Sequence, residues 1–359
     1  MRLFEELNNK AVAAFEVQDY DAALKYHDDS IVSAKKLPRS IVSVETIAML
    51  HANKGYTLLA ISAYDHALVQ FSLANRYSHN DENDWSLFLC HANLRNMKKA
   101  KQFHHTRYGD TRSAPTKVRF PKLPIPLVKK VSDIKDKKLL ILNEQGLGDE
   151  ILFFSGIRKL ASMCSSIHLQ VYSETYSLFE SQLPDNVTLF ADRSFYIDFV
   201  NKFDCYSTTG DMFFYSLEDE NCYGYNEPLV LPQSYEASNG RGFCWQANVN
   251  SPNANKRSID PSYLETHYKI YGLNQSLQYN IKCPEWMKPL PAVESLYDTA
   301  CVMASLESIV TVDTSIAHLA GALHIPTILL INNHFDWRWK QQKHNGYSKF
   351  YPTVKVVNI

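Results

Sequence analysis

Glycine is scarce in this sequence. Only 12 of its 359 residues are glycine, whereas an average usage of about 7% would give roughly 25. So few glycines favour a helix-rich chain, and they draw attention to the two places where glycines lie two residues apart. These are Gly146 with Gly148, and Gly240 with Gly242.

Long apolar runs, an excess of charge and paired cysteine motifs are missing as well. No stretch approaches about 18 uncharged apolar residues, so no transmembrane segment is expected. A formal net charge of −1 supplies no basic surface, and no nucleic-acid partner is expected. The seven cysteines never occur as Cys-x-x-Cys, which indicates reduced thiols rather than disulfides or a zinc site. The N-terminus lacks the apolar core of a signal peptide, so the interpretation is a cytoplasmic protein.

Residues 1–108 are expected to form tetratricopeptide-like helical repeats. Their apolar residues recur at three- and four-residue spacing, as in amphipathic helices. Within 51–74, small and large residues fall where a tetratricopeptide repeat has its packing positions. Small Gly55 and Ala67 would let two helices approach, and Leu58 and Phe71 would fill the space between them.

Weaker copies flank this segment. Residues 11–23 keep the same offsets more loosely, and 85–100 form a truncated copy. The equivalent residues Ala67 and Ala100 lie 33 positions apart, close to the 34 expected. Two to three repeats are therefore predicted, and a generic helical bundle is the alternative.

The chain changes character twice after the repeats. Residues 109–137 are basic and proline-containing, which predicts a linker. From Lys138 short apolar runs alternate with helical patterns, as in βαβ units. A second series begins near Gly242 and includes a helix predicted over 261–272. The predicted fold class is thus α plus α/β, with two facing Rossmann-like domains at 138–236 and 237–359.

The first candidate site is 143–150, Asn-Glu-Gln-Gly-Leu-Gly-Asp-Glu, between a predicted strand and helix. Gly146 and Gly148 would let backbone N–H groups approach an anion or a sugar at the helix N-terminus. Asp149 would lie in the first helical turn, beside the crevice where α/β proteins bind ligands. Because Ile151 stands where a dinucleotide fingerprint needs its third glycine, that fingerprint is absent. A helix N-terminal charge with no other role is the alternative for Asp149.

The second candidate site is 312–322, where Asp313 ends a predicted strand. Thr314 and Ser315 can cap the next helix, and their hydroxyls with the free N–H groups form a seat for a diphosphate. His318, one turn further, could donate to a phosphate oxygen. A structural role inside the helix is the alternative for this histidine.

Two further segments carry polar and aromatic residues. Trp245 ends a predicted strand, and Arg257 follows in a polar loop, where its guanidinium suits bidentate phosphate contact. A solvated loop is the alternative for Arg257. Residues 336–339, Asp-Trp-Arg-Trp, could contribute to a site or pack the end of the chain against the other domain.

Together these motifs resemble one known family. The segments 143–150, 245–258, 312–322 and 336–339, with Tyr351-Pro352-Thr353, look like tetratricopeptide-repeat proteins whose C-terminal half is similar to the lipopolysaccharide heptosyltransferases. The resemblance covers about 138–359, and the motifs follow the family's order and spacing.

The resemblance implies a GT-B glycosyltransferase that uses a nucleotide-sugar as co-substrate, with no metal and no other cofactor. Residues 138–236 would bind the acceptor and 237–359 the donor. Asp149 matches the family's aspartate, the expected base for an acceptor hydroxyl. The implied donor-binding residues are Gly146, Gly148, Trp245, Arg257, Asp313, Thr314, Ser315 and His318.

The sequence does not decide the class of acceptor, and it also allows a second function. A protein or glycan acceptor could be presented by the repeats, whose concave face could bind a peptide. Alternatively, the chain is a non-catalytic adaptor with a degenerate glycosyltransferase-like module. Ala247 and Ser315, where the family usually has glycine, favour the adaptor, whereas intact Asp149, Asp313 and His318 favour the enzyme.

Overall fold

The chain folds into two compact units, Met1–Pro121 and Lys122–Ile359. A computed structural model describes eleven segments of the chain. The segments are 2–108, 122–191, 199–217, 224–231, 240–248, 254–264, 270–273, 283–289, 295–332, 336–339 and 346–359.

The first unit is helical, and each helix packs against the next one along the chain. Short connections join its helices, as expected for helical hairpins. The helices are α1 (Leu3–Glu16), α2 (Tyr20–Lys35), α3 (Val44–Ala60), α4 (Tyr64–Tyr77), α5 (Asp81–Asn93) and α6 (Met97–Ala100).

Polar side chains begin several of these helices. The Asp19 carboxylate accepts a hydrogen bond from Ala22 N at 3.1 Å, and Ser43 Oγ accepts one from Thr46 N at 3.2 Å. Each bond satisfies a backbone N–H that the first turn of a helix leaves without a partner.

The close approach of α3 and α4 follows from a small residue. A Cβ atom added to Gly55 would lie 2.8 Å from the Phe71 ring. Phe71 and Ala67 are fully buried, and Leu58 joins them in one hydrophobic cluster. The packing expected from the spacing is therefore present in this hairpin, and the assignment to tetratricopeptide repeats stays a prediction.

The second unit contains a four-stranded parallel sheet in the order β3-β2-β1-β4. Leu139 of the central strand pairs with Ile167 on one side and with Cys205 on the other. The strands are β1 (Lys138–Leu142), β2 (Ser166–Gln170), β3 (Val187–Phe190) and β4 (Cys205–Thr208). The helices are α7 (Leu147–Phe154), α8 (Ile157–Ala161), α9 (Ser173–Glu180) and α10 (Thr209–Ser216).

A second parallel sheet has the order β10-β9-β8-β5-β6-β7. Its strands are β5 (Arg241–Cys244), β6 (Ile270–Gly272), β7 (Lys288–Pro289), β8 (Ser308–Val312), β9 (Thr327–Ile331) and β10 (Val354–Asn358). The helices of this half are α11 (Ala254–Arg257), α12 (Leu296–Ala304) and α13 (Ser315–Ala322).

The helix predicted over 261–272 is wrong at its C-terminal end. Residues Pro261–Leu264 form one 3₁₀ turn, and Ile270–Gly272 are a strand paired with β5. The period of three to four apolar residues is misleading here, because Ile270 is buried in the sheet among Phe243 and Met287. Residues 265–269 lie outside the described part.

The predicted linker is divided by the structure. Residues 122–137 belong to the second unit, where Val128 N donates to Tyr206 O at 2.9 Å and Ile134 is fully buried. Residues 109–121 and the predicted boundary at 236–237 lie outside the described residues.

Helices from the two sheets of the second unit meet directly. Helix α7, after β1, packs against α13, after β8, and α9 contacts α12. Within the described segments no helix has both the length and the apolar character needed to cross a bilayer.

Candidate functional site

In each of the two sheets the order of the strands reverses at one point. In the first sheet β1 lies between β2 and β4, and in the second β8 lies beside β5. Ligands of open α/β sheets bind outside the carboxyl ends of the strands at such a reversal. The turns there contain residues 143–146 after β1, 245–248 after β5 and 313–314 after β8, which are the three motifs singled out in the sequence.

The β1–α7 turn is held in an unusual backbone conformation. Gln145 has a φ of 63°, in the left-handed region that non-glycine residues rarely adopt. Its carbonyl accepts a hydrogen bond from the Tyr172 hydroxyl, and Gly146 N donates to Asp149 Oδ2 at 3.0 Å. Backbone strain of this kind costs about 1–3 kcal/mol and is concentrated at functional sites.

Asp149 forms an ion pair with Arg338. Arg338 Nη2 lies 2.6 Å from Asp149 Oδ1, and the side chains are 13% and 21% exposed respectively. Burial raises the pKa of the Asp149 carboxyl above its ordinary value, although the Arg338 guanidinium and the Gly146 N–H act in the opposite direction. The carboxylate is thus both partly shielded from water and directly neutralised.

Arg338 has three further contacts. Its Nη2 donates to Gln145 Oε1 and its Nη1 to Asp336 Oδ1, both at 2.6 Å. Its guanidinium carbon lies 4.6 Å from the centre of the Trp337 ring. Burial lowers the pKa of the guanidinium, but the carboxylates of Asp149 and Asp336 outweigh this and raise it above the ordinary value.

Asp313 is the acidic residue of the second sheet's turn. Trp339 Nε1 donates to Asp313 Oδ1 at 2.7 Å, and Arg257 Nη1 lies 3.6 Å from Oδ2. Arg257 also donates to the Asp313 carbonyl at 3.3 Å. Burial raises the pKa of the Asp313 carboxyl, and Asp336 adds to the effect.

Thr314 and Ser315 begin α13. Thr314 is its N-cap residue and makes no side-chain cap, so its hydroxyl does not occupy the N–H groups of the first turn. Neither Ser315 nor Ala247 has a positive φ. A side chain therefore costs no backbone strain at these two positions, where the resembling family usually has glycine.

His318 is a residue of α13, and its buried ring packs against α7. Its Nδ1 lies 2.8 Å from Tyr351 Oη, and its ring centroid lies 4.5 Å from that of Trp339. A Cβ atom on Gly148 would lie 2.5 Å from His318 Cδ2. Burial lowers the pKa of the imidazole well below its ordinary value, so the ring is neutral. The ring thus packs between helices, and its donor role stays a prediction.

Trp245 belongs to the hydrophobic core of the second sheet. It is 5% exposed and packs with Phe243, Ile270 and Met287. Its carbonyl accepts from Ile259 N at 2.9 Å, which fixes the loop that follows β5. The structure thus supports a positioning contribution from Trp245 to the nearby turn.

Three of the predicted site residues contact the segment 336–339 directly: Asp149 through Arg338, and Asp313 and His318 through Trp339. Gly146 and Arg257 are joined to it indirectly, because Gly146 is bonded to Asp149 and Arg257 is paired with Asp313. Gln145 was not predicted as a site residue, because a non-glycine residue before Gly146 gives no signal of a positive φ.

Two buried glutamates beside the β1–α7 turn, Glu144 and Glu150, were also not predicted as site residues. Glu144 Oε1 accepts from Gly210 N at 3.0 Å, at the N-terminal end of α10. Glu150 accepts from Tyr172 N at 3.1 Å and from the Thr175 hydroxyl. Burial raises the pKa of Glu150 to about 7. The only signal in the sequence for a role of these two glutamates is that they belong to the same motif as Asp149.

Among the described residues, no group of three or more histidine, cysteine, aspartate or glutamate side chains is arranged to hold a metal ion. The metal independence implied by the resemblance stays a prediction.

No protein-family model and no curated protein matches the chain. Among solved structures, the iron-containing heptosyltransferase TibC of E. coli H10407, solved with ADP-D-β-D-heptose, is 13% identical with a TM-score of 0.41. That match covers 55% of this chain and 59% of TibC, less than two thirds of TibC's length.

Two further solved structures are similar at the same level. A family 9 glycosyltransferase of Veillonella parvula is 10% identical, with a TM-score of 0.42, over 63% of this chain and 87% of its own. The ADP-heptose lipopolysaccharide heptosyltransferase II of E. coli is 14% identical, with a TM-score of 0.38, over 62% and 90%. Likeness at these values assigns neither an activity nor a substrate to this chain.

Proposed function

We propose that the protein is a glycosyltransferase that moves a sugar from a nucleotide-activated donor to a hydroxyl acceptor. One observation carries the proposal. Asp149, after a strand of the first sheet, and Asp313, after a strand of the second, are linked by consecutive residues, because Arg338 pairs with one and Trp339 donates to the other. A base and a diphosphate seat on opposite sheets are what transfer between two bound substrates requires.

Asp149 is proposed to be the general base. It would take the proton from the acceptor hydroxyl as that oxygen bonds to the sugar's anomeric carbon. The bond from this carbon to the donor phosphate breaks, and its electron pair leaves with the nucleoside diphosphate. A raised pKa suits the role, since a stronger base takes a proton more readily near neutral pH.

The leaving diphosphate is proposed to bind at the start of α13. The N–H groups of the first turn and the Thr314 hydroxyl would donate hydrogen bonds to the phosphate oxygens as the negative charge on them grows. Arg257, 32% exposed and beside Asp313, can reach a phosphate oxygen. Groups that are oriented in advance in this way supply much of the stabilisation of a transition state.

No metal or separate cofactor takes part in this proposal, and the nucleotide-sugar is the co-substrate. The helical unit is proposed to consist of tetratricopeptide repeats that present a protein or glycan acceptor. Release of nucleoside diphosphate that persists in excess EDTA would support metal independence, and complete loss restored by one metal would contradict it.

The first experiment is a thermal-shift screen with nucleotide-sugars and nucleoside diphosphates. Stabilisation by one nucleotide class is expected in the wild type, because binding to the folded state raises the melting temperature. Arg257→Gln should reduce the shift, whereas Arg158→Gln should not, since Arg158 is exposed on α8. An equal shift in both variants would remove Arg257 from the donor site.

A non-catalytic adaptor is the second candidate. It is favoured by His318 and Trp245, whose side chains are 4% and 5% exposed and are engaged in packing. The absence of any shift with all nucleotides, together with binding of partner proteins by the helical unit, would favour the adaptor over the enzyme.

A further inference from the structure

Arg338 occupies the position between the two acidic turns. It contacts the turn after β1 through Asp149 and Gln145, and the residue after it, Trp339, contacts the turn after β8 through Asp313. Residues 145 and 338 are 193 positions apart in the chain. The consecutive residues Arg338 and Trp339 thus connect the turn of the proposed base to the turn that precedes the proposed diphosphate seat.

The charges around this guanidinium are predominantly negative. Asp149 and Asp336 contact it directly, and Asp313 acts on it from the β8–α13 turn. Neutral His318 on α13 and protonated Tyr351 before β10 are the other titratable groups among the described residues that interact with it. The Nε–H of Arg338 is buried and has no hydrogen-bond partner within the described segments, so the side chain keeps a donor that a further acceptor can use.

Asp149 has a different set of neighbours. Within the part of the chain that the structure describes, Arg338 is the only cation among the groups that act on its carboxyl, while Asp336 and Glu144 are both acidic. The hydroxyl of Tyr351 is also within electrostatic range of Asp149. Burial disfavours the charged form of Asp149, and among the described residues the contact with Arg338 is the strongest interaction that favours it.

We propose that Arg338 is a positioning residue for Asp149, and that a nucleoside diphosphate bound at Thr314–Ser315 draws its guanidinium away from the Asp149 carboxylate. The inference rests on the proposed function and adds to it a coupling between donor binding and the release of Asp149 from Arg338. Binding of the donor frees the base, so that Asp149 can accept a hydroxyl proton only when a donor is present.

The chemistry of the groups favours this exchange. A guanidinium binds phosphate oxygens through two parallel hydrogen bonds. A diphosphate also carries more negative charge than one carboxylate, and at about 4 Å each pair of unit charges contributes several kcal/mol near a protein surface. Once Arg338 has moved, the partly buried Asp149 lacks a cation and becomes a stronger base.

Calorimetry tests the coupling directly. ADP, GDP, UDP, CDP and dTDP are titrated into the full-length protein at pH 6.5 in two buffers of different ionisation enthalpy, which gives the net protons exchanged on binding. The terminal phosphate of the nucleotide also titrates near this pH, so its ionisation is followed by ³¹P NMR in the free and the bound nucleotide and subtracted, which leaves the protons taken up by the protein. Wild-type protein should take up a fraction of a proton when a diphosphate binds. Asp149→Asn should bind the same nucleotide with no uptake.

Variants of the arginine complete the test. Arg338→Gln should bind the nucleotide about 10- to 100-fold more weakly, the range of one lost charge-assisted hydrogen bond, and without proton uptake. Arg338→Lys retains the charge and should recover part of both effects, and Arg158→Gln should behave as wild type. Binding without uptake in the wild type, or uptake that persists in Asp149→Asn, would overturn the inference and leave the proposed function standing.

A second measurement needs no nucleotide. Carboxyl-carbon NMR of ¹³C-labelled aspartate, assigned with Asp149→Asn, gives the pKa of Asp149. That pKa should be at least one unit higher in Arg338→Gln than in the wild type, and an unchanged value would overturn the positioning role. If none of the five diphosphates binds, the proposed function and the coupling fail together.

Discussion

The ring of His318 fills the space that Gly148 leaves open. A Cβ atom at Gly148 would lie 2.5 Å from His318 Cδ2 and 3.1 Å from Nε2, closer than side chains approach. The contact joins α7 of one sheet to α13 of the other. A histidine that resembles a phosphate ligand in sequence is therefore also a packing element between the two helices that carry the proposed base and diphosphate seat.

Gly148→Ala should destabilise the second unit. The added methyl group has no room beside the buried His318 ring, and overpacking of a core typically costs about 1–3 kcal/mol. Gly146→Ala is a matched control, because among the described residues its added Cβ would meet only Asp149 Oδ2 at 3.6 Å and its φ is −98°. Urea denaturation should therefore show a lower free energy of unfolding for Gly148→Ala than for Gly146→Ala.

Gly55→Ala should destabilise the helical unit for a similar reason. Its Cβ would lie 2.8–3.0 Å from the Phe71 ring. In a Phe71→Leu background the smaller side chain makes room, so the two substitutions should cost less together than the sum of their separate effects. Additive changes in the free energy of unfolding would show that the contact does not limit the approach of α3 and α4.

The turns after β1 and after β8 could be predicted because short-range sequence patterns specify them. Strand β1 contains an apolar run and is followed by a turn with two glycines, and β8 ends at Val312, directly before Asp313 and the hydroxyl pair Thr314 and Ser315. Such patterns depend on neighbours within a few residues. Strand β4, Cys205–Thr208, escaped prediction because its polar residues are all buried against neighbours distant in sequence.

The most informative contacts of the site could not be predicted. The ion pair of Asp149 with Arg338 joins segments that only the packing of the two sheets brings together. Strand β6 is three residues long, too short for a period to distinguish it from helix. The positive φ of Gln145 is imposed by the bonds around it, among them that from Tyr172, and no glycine marks it.

Glu150→Gln should change how stability depends on pH. Burial raises the pKa of Glu150 from 4.5 to about 7 in the folded protein. Its contribution to stability is therefore fully present below pH 4.5 and is lost as the pH rises through 7. Glutamine stays neutral, so the variant should be more stable than the wild type at pH 8, by at most about 3 kcal/mol. The difference should vanish near pH 4.

Thermal or urea unfolding of both proteins from pH 4 to 9 measures this effect. Glu180→Gln is the control, because Glu180 is exposed at the last position of α9. A variant less stable than the wild type at pH 8 would mean that the bonds from Tyr172 N and Thr175 outweigh the cost of burying the charge.

Trp339→Phe should weaken the turn that carries Asp313. The substitution removes the 2.7 Å hydrogen bond from Nε1 to Asp313 Oδ1 and leaves a carboxylate oxygen without this donor. A loss of about 1–3 kcal/mol in the free energy of unfolding is expected. The loss should be smaller in an Asp313→Asn background, where no charge needs the donor, and an equal loss in both backgrounds would assign the effect to packing alone.

Asp149→Asn tests the base. The amide keeps the shape of the carboxylate but cannot take a proton, and a positioned base contributes about 10²–10⁴-fold to the rate. Release of nucleoside diphosphate from the donor, in the presence of an acceptor, should fall by this factor. Affinity for the nucleotide should be equal or tighter, because Arg338 no longer has Asp149 as a competing partner. Asp185→Asn, at an exposed position before β3, is the control. A rate unchanged in Asp149→Asn would exclude Asp149 as the base, whereas a rate lost together with nucleotide affinity would indicate that the substitution disturbs the turn itself.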